Sequence, residues 1–228
     1  MNGNTAAITR LLAQIEAAIG PALSPSLTAA SAGSDVFEAY ILSIILDAAE
    51  AEGATITFRN VDGSAPTVFT FRTSPGHLWS TAQPYTHAEL QFPGVPLLEA
   101  HMGVYVSGRS GLIHEADILV LTSDEAQLCR QNFVPPRSHR SIIAVECKFY
   151  ASNLKIGLAR AFVGLCSDLS SRECYFVTNA SSISVEKLLT HQRRKWQSPV
   201  EPGAPGVVER FRNSVQDTFK DYKTMYVD

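Results

Sequence analysis

The run Ile142-Ile143-Ala144-Val145-Glu146-Cys147-Lys148-Phe149-Tyr150 places an acid and a lysine two residues apart at the end of an apolar stretch. In a β-strand successive side chains point to opposite faces, so Glu146 and Lys148 emerge together while Val145, Cys147 and Phe149 point the other way. A second apolar run, His114 to Leu121, carries Asp117, which joins the pair if the two strands are neighbours. Two carboxylates and a lysine are the donor set of a divalent-metal phosphodiester site. A phosphodiester is anionic and leaves as a poor alkoxide. A bound Mg²⁺, with Mn²⁺ able to substitute, addresses both problems by neutralising phosphoryl charge and lowering the pKa of a bound water. Asp117, Glu146 and the Cys147 carbonyl are the expected metal ligands. Lys148, kept charged by two carboxylates, is expected to orient the attacking water.

The elements that must position these groups follow from periodicity. Thr5 to Ile19 has helical spacing and ends at Gly20-Pro21, and the Ser/Ala/Pro-rich stretch to Gly33 reads as a loop. Ser34 or Asp35 caps a second helix running to about Ala51, with Phe37, Tyr40, Ile41, Ile44, Ile45 and Ala48 on its apolar side and Glu38 in its first turn. Ala54–Arg59 and Thr67–Arg72 flank Val61-Asp62-Gly63 and predict a β-hairpin. Ser74 to Pro96 reads as loop. Glu99–Ser107 and Leu112–Leu121 flank Gly108-Arg109-Ser110-Gly111, a second hairpin that carries Asp117 into a sheet. Ser123–Arg140 reads as a polar excursion. After the Glu-x-Lys strand, Leu154 to Leu169 keeps helical spacing and Cys174–Thr178 reads as a strand. A helix from about Val185 to Trp196, a linker over Pro199–Gly206 and a last helix from Val207 to about Tyr222 complete an α/β layout with a mixed sheet.

Between about Asp35 and Thr178 this order resembles the PD-(D/E)xK, or restriction-endonuclease-like, nuclease superfamily. There a glutamate-bearing helix precedes a hairpin with the metal-binding aspartate, then a strand with the (D/E)-x-K motif, a helix and a strand. The resemblance implies Glu38, Asp117, Glu146 and Lys148 as catalytic residues. It departs in having Ala116 where the family name has proline, and in the added hairpin between Glu38 and Asp117. It also implies a core of about residues 35–178 in one domain, with an N-terminal helix over 1–33 and a helical C-terminal extension over 179–228. The expected function is a Mg²⁺-dependent endonuclease cutting DNA, in restriction or anti-phage defence. The alternative is a catalytically inactive nuclease-like fold that binds nucleic acid or serves assembly. A homodimer, or a partner protein for targeting, is expected because one such site cuts one strand.

Net charge is −3, yet residues 1–136 hold five Lys/Arg against 13 Asp/Glu and residues 137–228 hold 14 against nine. A phosphate backbone needs local positive charge, and the basic half begins just before the Glu-x-Lys strand. Lys155 and Arg160, and the run Arg193-Arg194-Lys195 beside Trp196, are the expected nucleic-acid contacts. Glu115, His101 and His114 are further polar candidates. The four cysteines form no C-x-x-C pair and read as reduced thiols. No apolar run is long enough for a membrane span and no leader pattern opens the chain, so a cytoplasmic protein is expected. A Gly-x-Ser-x-Gly elbow and a Walker-type or G-x-G-x-x-G loop are both lacking, which argues against a serine hydrolase and a nucleotide-binding enzyme.

Overall fold

The computed structural model describes residues 2–150 and 154–226. Its framework is a seven-stranded mixed sheet with helices on both faces. The strands are β2 (Thr55–Asn60), β4 (Thr86–Gln91), β5 (Leu98–Ser107), β6 (Ile113–Thr122), β7 (Ser141–Lys148), β8 (Glu173–Thr178) and β9 (Lys195–Gln197), in the spatial order β2-β4-β5-β6-β7-β8-β9. Pairing is antiparallel from β2 to β7 and parallel from β7 to β9. A separate two-residue parallel ladder joins β1 (Ser24–Pro25) to β3 (Val68–Phe69).

One face of the sheet is covered by α1 (Asn2–Ile19), α2 (Gly33–Ala51) and α6 (Pro205–Thr224). The periodicity that predicts α1 buries Ile8, Leu11, Ile15 and Ile19, and Gly20, at φ +79°, ends it in a conformation only glycine adopts readily. In α2 all six expected apolar residues are buried together with Val36, Ala39, Leu42, Leu46 and Ala49. A helix apolar nearly all round must be covered on several sides. Here Phe211, Val215 and Phe219 of α6 and the α1 stripe share one core with Val145, Tyr175 and Val177 of the sheet. The other face carries α3 (Ser123–Asn132), α4 (Ile156–Asp168) and α5 (Ile183–His191), packed through Ala126 and Cys129, Phe162 and Cys166, and Val185 and Leu189.

Four sequence expectations are corrected. Thr55–Asn60 does not pair with Thr67–Arg72. The Asp62-Gly63 turn exists, with Gly63 at φ +84°, but β2 runs beside Thr86–Gln91, and Val68–Phe69 goes to Ser24–Pro25. The antiparallel neighbour of β2 is therefore β4, reached only after residues 61–85, and the supposed loop at 74–96 contains this strand, paired on both sides. The polar excursion 123–140 folds into α3 and a 3₁₀ turn at Ser138–Arg140. The expected helix Val185–Trp196 stops at His191, Arg193 turns the chain at φ +52°, and Lys195–Gln197 joins the sheet as β9. The C-terminal extension is thus part strand. No helix among the described residues is long and apolar enough to cross a membrane.

Candidate functional site

The antiparallel β6/β7 ladder runs through Leu119↔Ala144 and Ile118↔Val145, where its pairing ends. One step beyond, Asp117 and Glu146 stand on the same face. Instead of a backbone partner, the Cys147 N–H donates to Asp117 Oδ2 at 2.6 Å. Lys148 Nζ lies 2.6 Å from Glu146 Oε1 and 3.8 Å from Asp117 Oδ2. The alternation that places Glu146 and Lys148 together also sends the Cys147 side chain into the core beneath α2.

Burial sets the electrostatics of this cluster. Asp117 is buried, and desolvation, with the nearby Glu146 charge, pushes its carboxyl up to about 7 even though Lys148 and the Cys147 N–H favour the ionised form. Glu38, on α2, is pushed up to about 8, chiefly by burial and then by Asp117, with Lys148 again opposing. Glu115, two residues before Asp117 and exposed, is raised by partial burial and by Glu146. Burial alone would lower the Lys148 ammonium, but Glu146 and Asp117 outweigh it and raise it. Lys148 alone does not offset the burial and mutual repulsion of these acids. The Cys147 thiol is raised well above its usual value by burial and by Asp117 and Glu38, so it is not a nucleophile and offers the site only its backbone.

The expected nucleic-acid contacts divide. Lys155 and Arg160 are exposed on the start of α4, the helix that follows β7. Lys195 does not face the site. In the parallel register Val145, Tyr175 and Lys195 share one face while Glu146, Phe176 and Trp196 share the other. Lys195 Nζ is 3.0 Å from Glu173 and 5.3 Å from the centre of the Tyr175 ring. Arg194 donates to Ser167 Oγ at 3.1 Å, and Arg193 is exposed in the turn before β9.

His114 is tied up as well. Its Nε2 lies 2.6 Å from Asp168 Oδ2, which also accepts from Ser110 Oγ at 2.6 Å, while Asp168 Oδ1 takes the Ser110 N–H at 2.7 Å. These bonds dock the β5/β6 hairpin tip on the C-terminal end of α4. Glycine at 108 permits this close approach, because a Cβ there would displace Asp168 Oδ2 and His114 Nε2.

A second cluster escapes the sequence. His87 on β4 stands across from His101 on β5, one step beyond the Ala88↔Ala100 pair, and Glu99 is two residues from His101 on the same face. Ligand atoms of all three lie within 4.8 Å of one another and could hold a metal ion. Glu99 accepts from Arg130 of α3 at 2.9 and 2.7 Å and from Ser123 Oγ at 2.8 Å. The spacing Glu99-x-His101 is visible in the chain, but His87 is brought to it by a pairing that sequence patterning assigns to a loop.

No family model, curated protein or solved structure matches the chain.

Proposed function

We propose that the chain is a Mg²⁺-dependent endonuclease that hydrolyses DNA phosphodiester bonds, built on a restriction-endonuclease-like core. The observation that carries this reading is the convergence of Asp117, Glu146 and Lys148 where β6 and β7 part, with Glu38 arriving from α2. The donor set fits a hard cation: all oxygen, two carboxylates, and a surplus of negative charge that burial makes unfavourable. Asp117 and Glu146, with the Cys147 carbonyl, would hold Mg²⁺ or Mn²⁺, which when bound supplies Lewis-acid stabilisation of phosphoryl charge and a more acidic water.

The protein's own groups account for the rest. Lys148 has three donors, of which Glu146 and Asp117 occupy at most two, so one remains for the attacking water or a phosphate oxygen. Its raised pKa keeps it an ammonium, which suits orientation and charge stabilisation rather than proton abstraction. Glu38 adds a third carboxyl able to accept a hydrogen bond from water held between the acids. Lys155 and Arg160, exposed at the start of α4, would follow the phosphate backbone away from the scissile bond. A role in restriction or defence, and a homodimer that cuts both strands, belong to the same reading.

The test is cleavage of supercoiled and linear DNA by the protein and by Lys148→Ala, in Mg²⁺, Mn²⁺ and EDTA. Nicking that needs metal and falls by at least about 100-fold in the variant is expected, the scale of losing one preorganised charge-stabilising donor. If neither protein cuts, calorimetric Mg²⁺ titration decides: binding abolished in Asp117→Ala indicates a nuclease that lacks its activator, and no binding overturns the reading in favour of a non-catalytic module.

A further inference from the structure

The polar cluster between β4, β5 and α3 shares no residue with the proposed phosphodiester site. His87 is 4% exposed, yet its Nδ1 has no hydrogen-bond partner, and its Nε2 lies 3.5 Å from Glu99 Oε2, too far for a good hydrogen bond. A buried imidazole left this way is destabilising, and such groups are uncommon in folded proteins. The atoms around Nε2, the nitrogen that faces Glu99, indicate what could bind there. His101 uses Nδ1 on the Tyr85 hydroxyl at 3.2 Å, which directs Nε2 to Glu99 Oε2 at 3.0 Å. Glu99 Oε1 accepts from Arg130 and Ser123, and Oε2 accepts from Arg130 at 2.9 Å and faces both rings, 3.0 Å from His101 Nε2 and 3.5 Å from His87 Nε2. In a tetrahedral zinc site with bonds of about 2.0–2.1 Å, neighbouring ligand atoms are about 3.3 Å apart. The two distances to Oε2, 3.5 and 3.0 Å, bracket that value.

We propose that His87, Glu99 and His101 bind one zinc-type divalent ion that fastens β4 to β5. Two imidazoles and a carboxylate select zinc over Mg²⁺, which prefers oxygen alone. Tyr85 on the far nitrogen of His101 and Arg130 with Ser123 on Glu99 are the outer partners that commonly fix the orientation of metal ligands. With Glu99 at 1%, His101 at 0% and His87 at 4% exposure, the cluster is sealed from substrate, so the ion is structural, with one enclosed water as the fourth ligand beside the three side chains. Arg130 opposes a cation, since its guanidinium shares the carboxylate. Its side chain is 28% exposed against 2% for Glu99, so water screens much of that charge.

The experiment is metal analysis of the full-length protein after zinc loading and gel filtration, with X-ray absorption at the zinc edge and thermal unfolding with and without chelator. About one zinc per chain, a nitrogen/oxygen shell without sulfur, and a Tm lowered by chelation are expected. Arg130→Gln, which keeps a donor to Glu99 and removes the competing charge, should tighten zinc binding several-fold, and a folded His87→Ala should lose the zinc. If His87→Ala does not fold, the wild-type absorption spectrum decides alone. Absence of zinc, a sulfur shell pointing to Cys166 and Cys174, or zinc retained by a folded His87→Ala would each overturn the proposal.

Discussion

Two carboxylates, Asp117 and Glu99, are buried in the same sheet, one 3.8 Å from a lysine and the other bonded to an arginine, and they meet opposite electrostatic fates. Burial raises the Glu99 carboxyl too, but hydrogen bonds and charges from His101 and Arg130 outweigh it and hold it well below the usual range. Asp117 has only Lys148 at 3.8 Å and one backbone N–H against burial and Glu146, and it stays high. The fold has completed the compensation of one acid and left the other short. At Glu99 the cations of the fold hold the carboxylate ionised, and the proposed zinc would add to them; at Asp117 the shortfall is met by a proton or by a bound cation.

The sharpest way to test this contrast is to remove each acid. Glu99→Ala leaves Arg130 without its partner and should cost about 3–5 kcal/mol in denaturant unfolding, as for other broken buried pairs. Asp117→Asn should do the reverse. In EDTA at pH 8 it should be more stable than the wild type, on the order of 2–4 kcal/mol, because an unfavourable buried charge is gone. The sign follows from linkage. Asp117 at about 7 and Glu38 at about 8 are raised above their unfolded values, so their contribution is fully present below about pH 4 and is lost as pH climbs through 7 and 8. Glu99 is depressed, so its contribution is present above its unfolded pKa and is lost on acidification. Metal-free protein should therefore lose stability towards both ends of a pH series followed by thermal unfolding, with Asp117→Asn flattening only the alkaline side. A wild-type curve with no alkaline fall would remove the contrast.

Smaller changes refine it. Gly108→Ala pushes the hairpin tip off Asp168 and should cost about 1–3 kcal/mol in unfolding, a value typical of overpacking. Lys195→Ala should alter DNA affinity by less than about twofold in a titration, because its Glu173 pair is partly exposed and on the wrong face, and its stability cost should stay below about 1 kcal/mol.

Local signals and long-range ones were not equally legible in the chain. Glu146, Lys148 and Asp117 were readable because period-two alternation fixes faces within a strand, and a short Gly-containing turn makes β5 and β6 neighbours. The helices α1, α2 and α4 were readable from apolar stripes. The strand β4 was not, since its identity depends on pairing with β2 across residues 61–85 and with β5 across Pro93 and Pro96. The helix α3 was not readable either, because only Ala126 and Cys129 anchor its apolar side. The face taken by Lys195 was not readable, because composition reports charge but not which side of a strand it occupies.

The parting of β6 and β7 has one more consequence. Because the Cys147 amide proton is bonded to a side-chain carboxylate rather than to the ladder, its magnetic environment follows the charge on Asp117. The ¹H–¹⁵N resonance of that single backbone group is a built-in spectroscopic probe, reading protonation and occupancy of the cleft from inside the core without any label attached to the site.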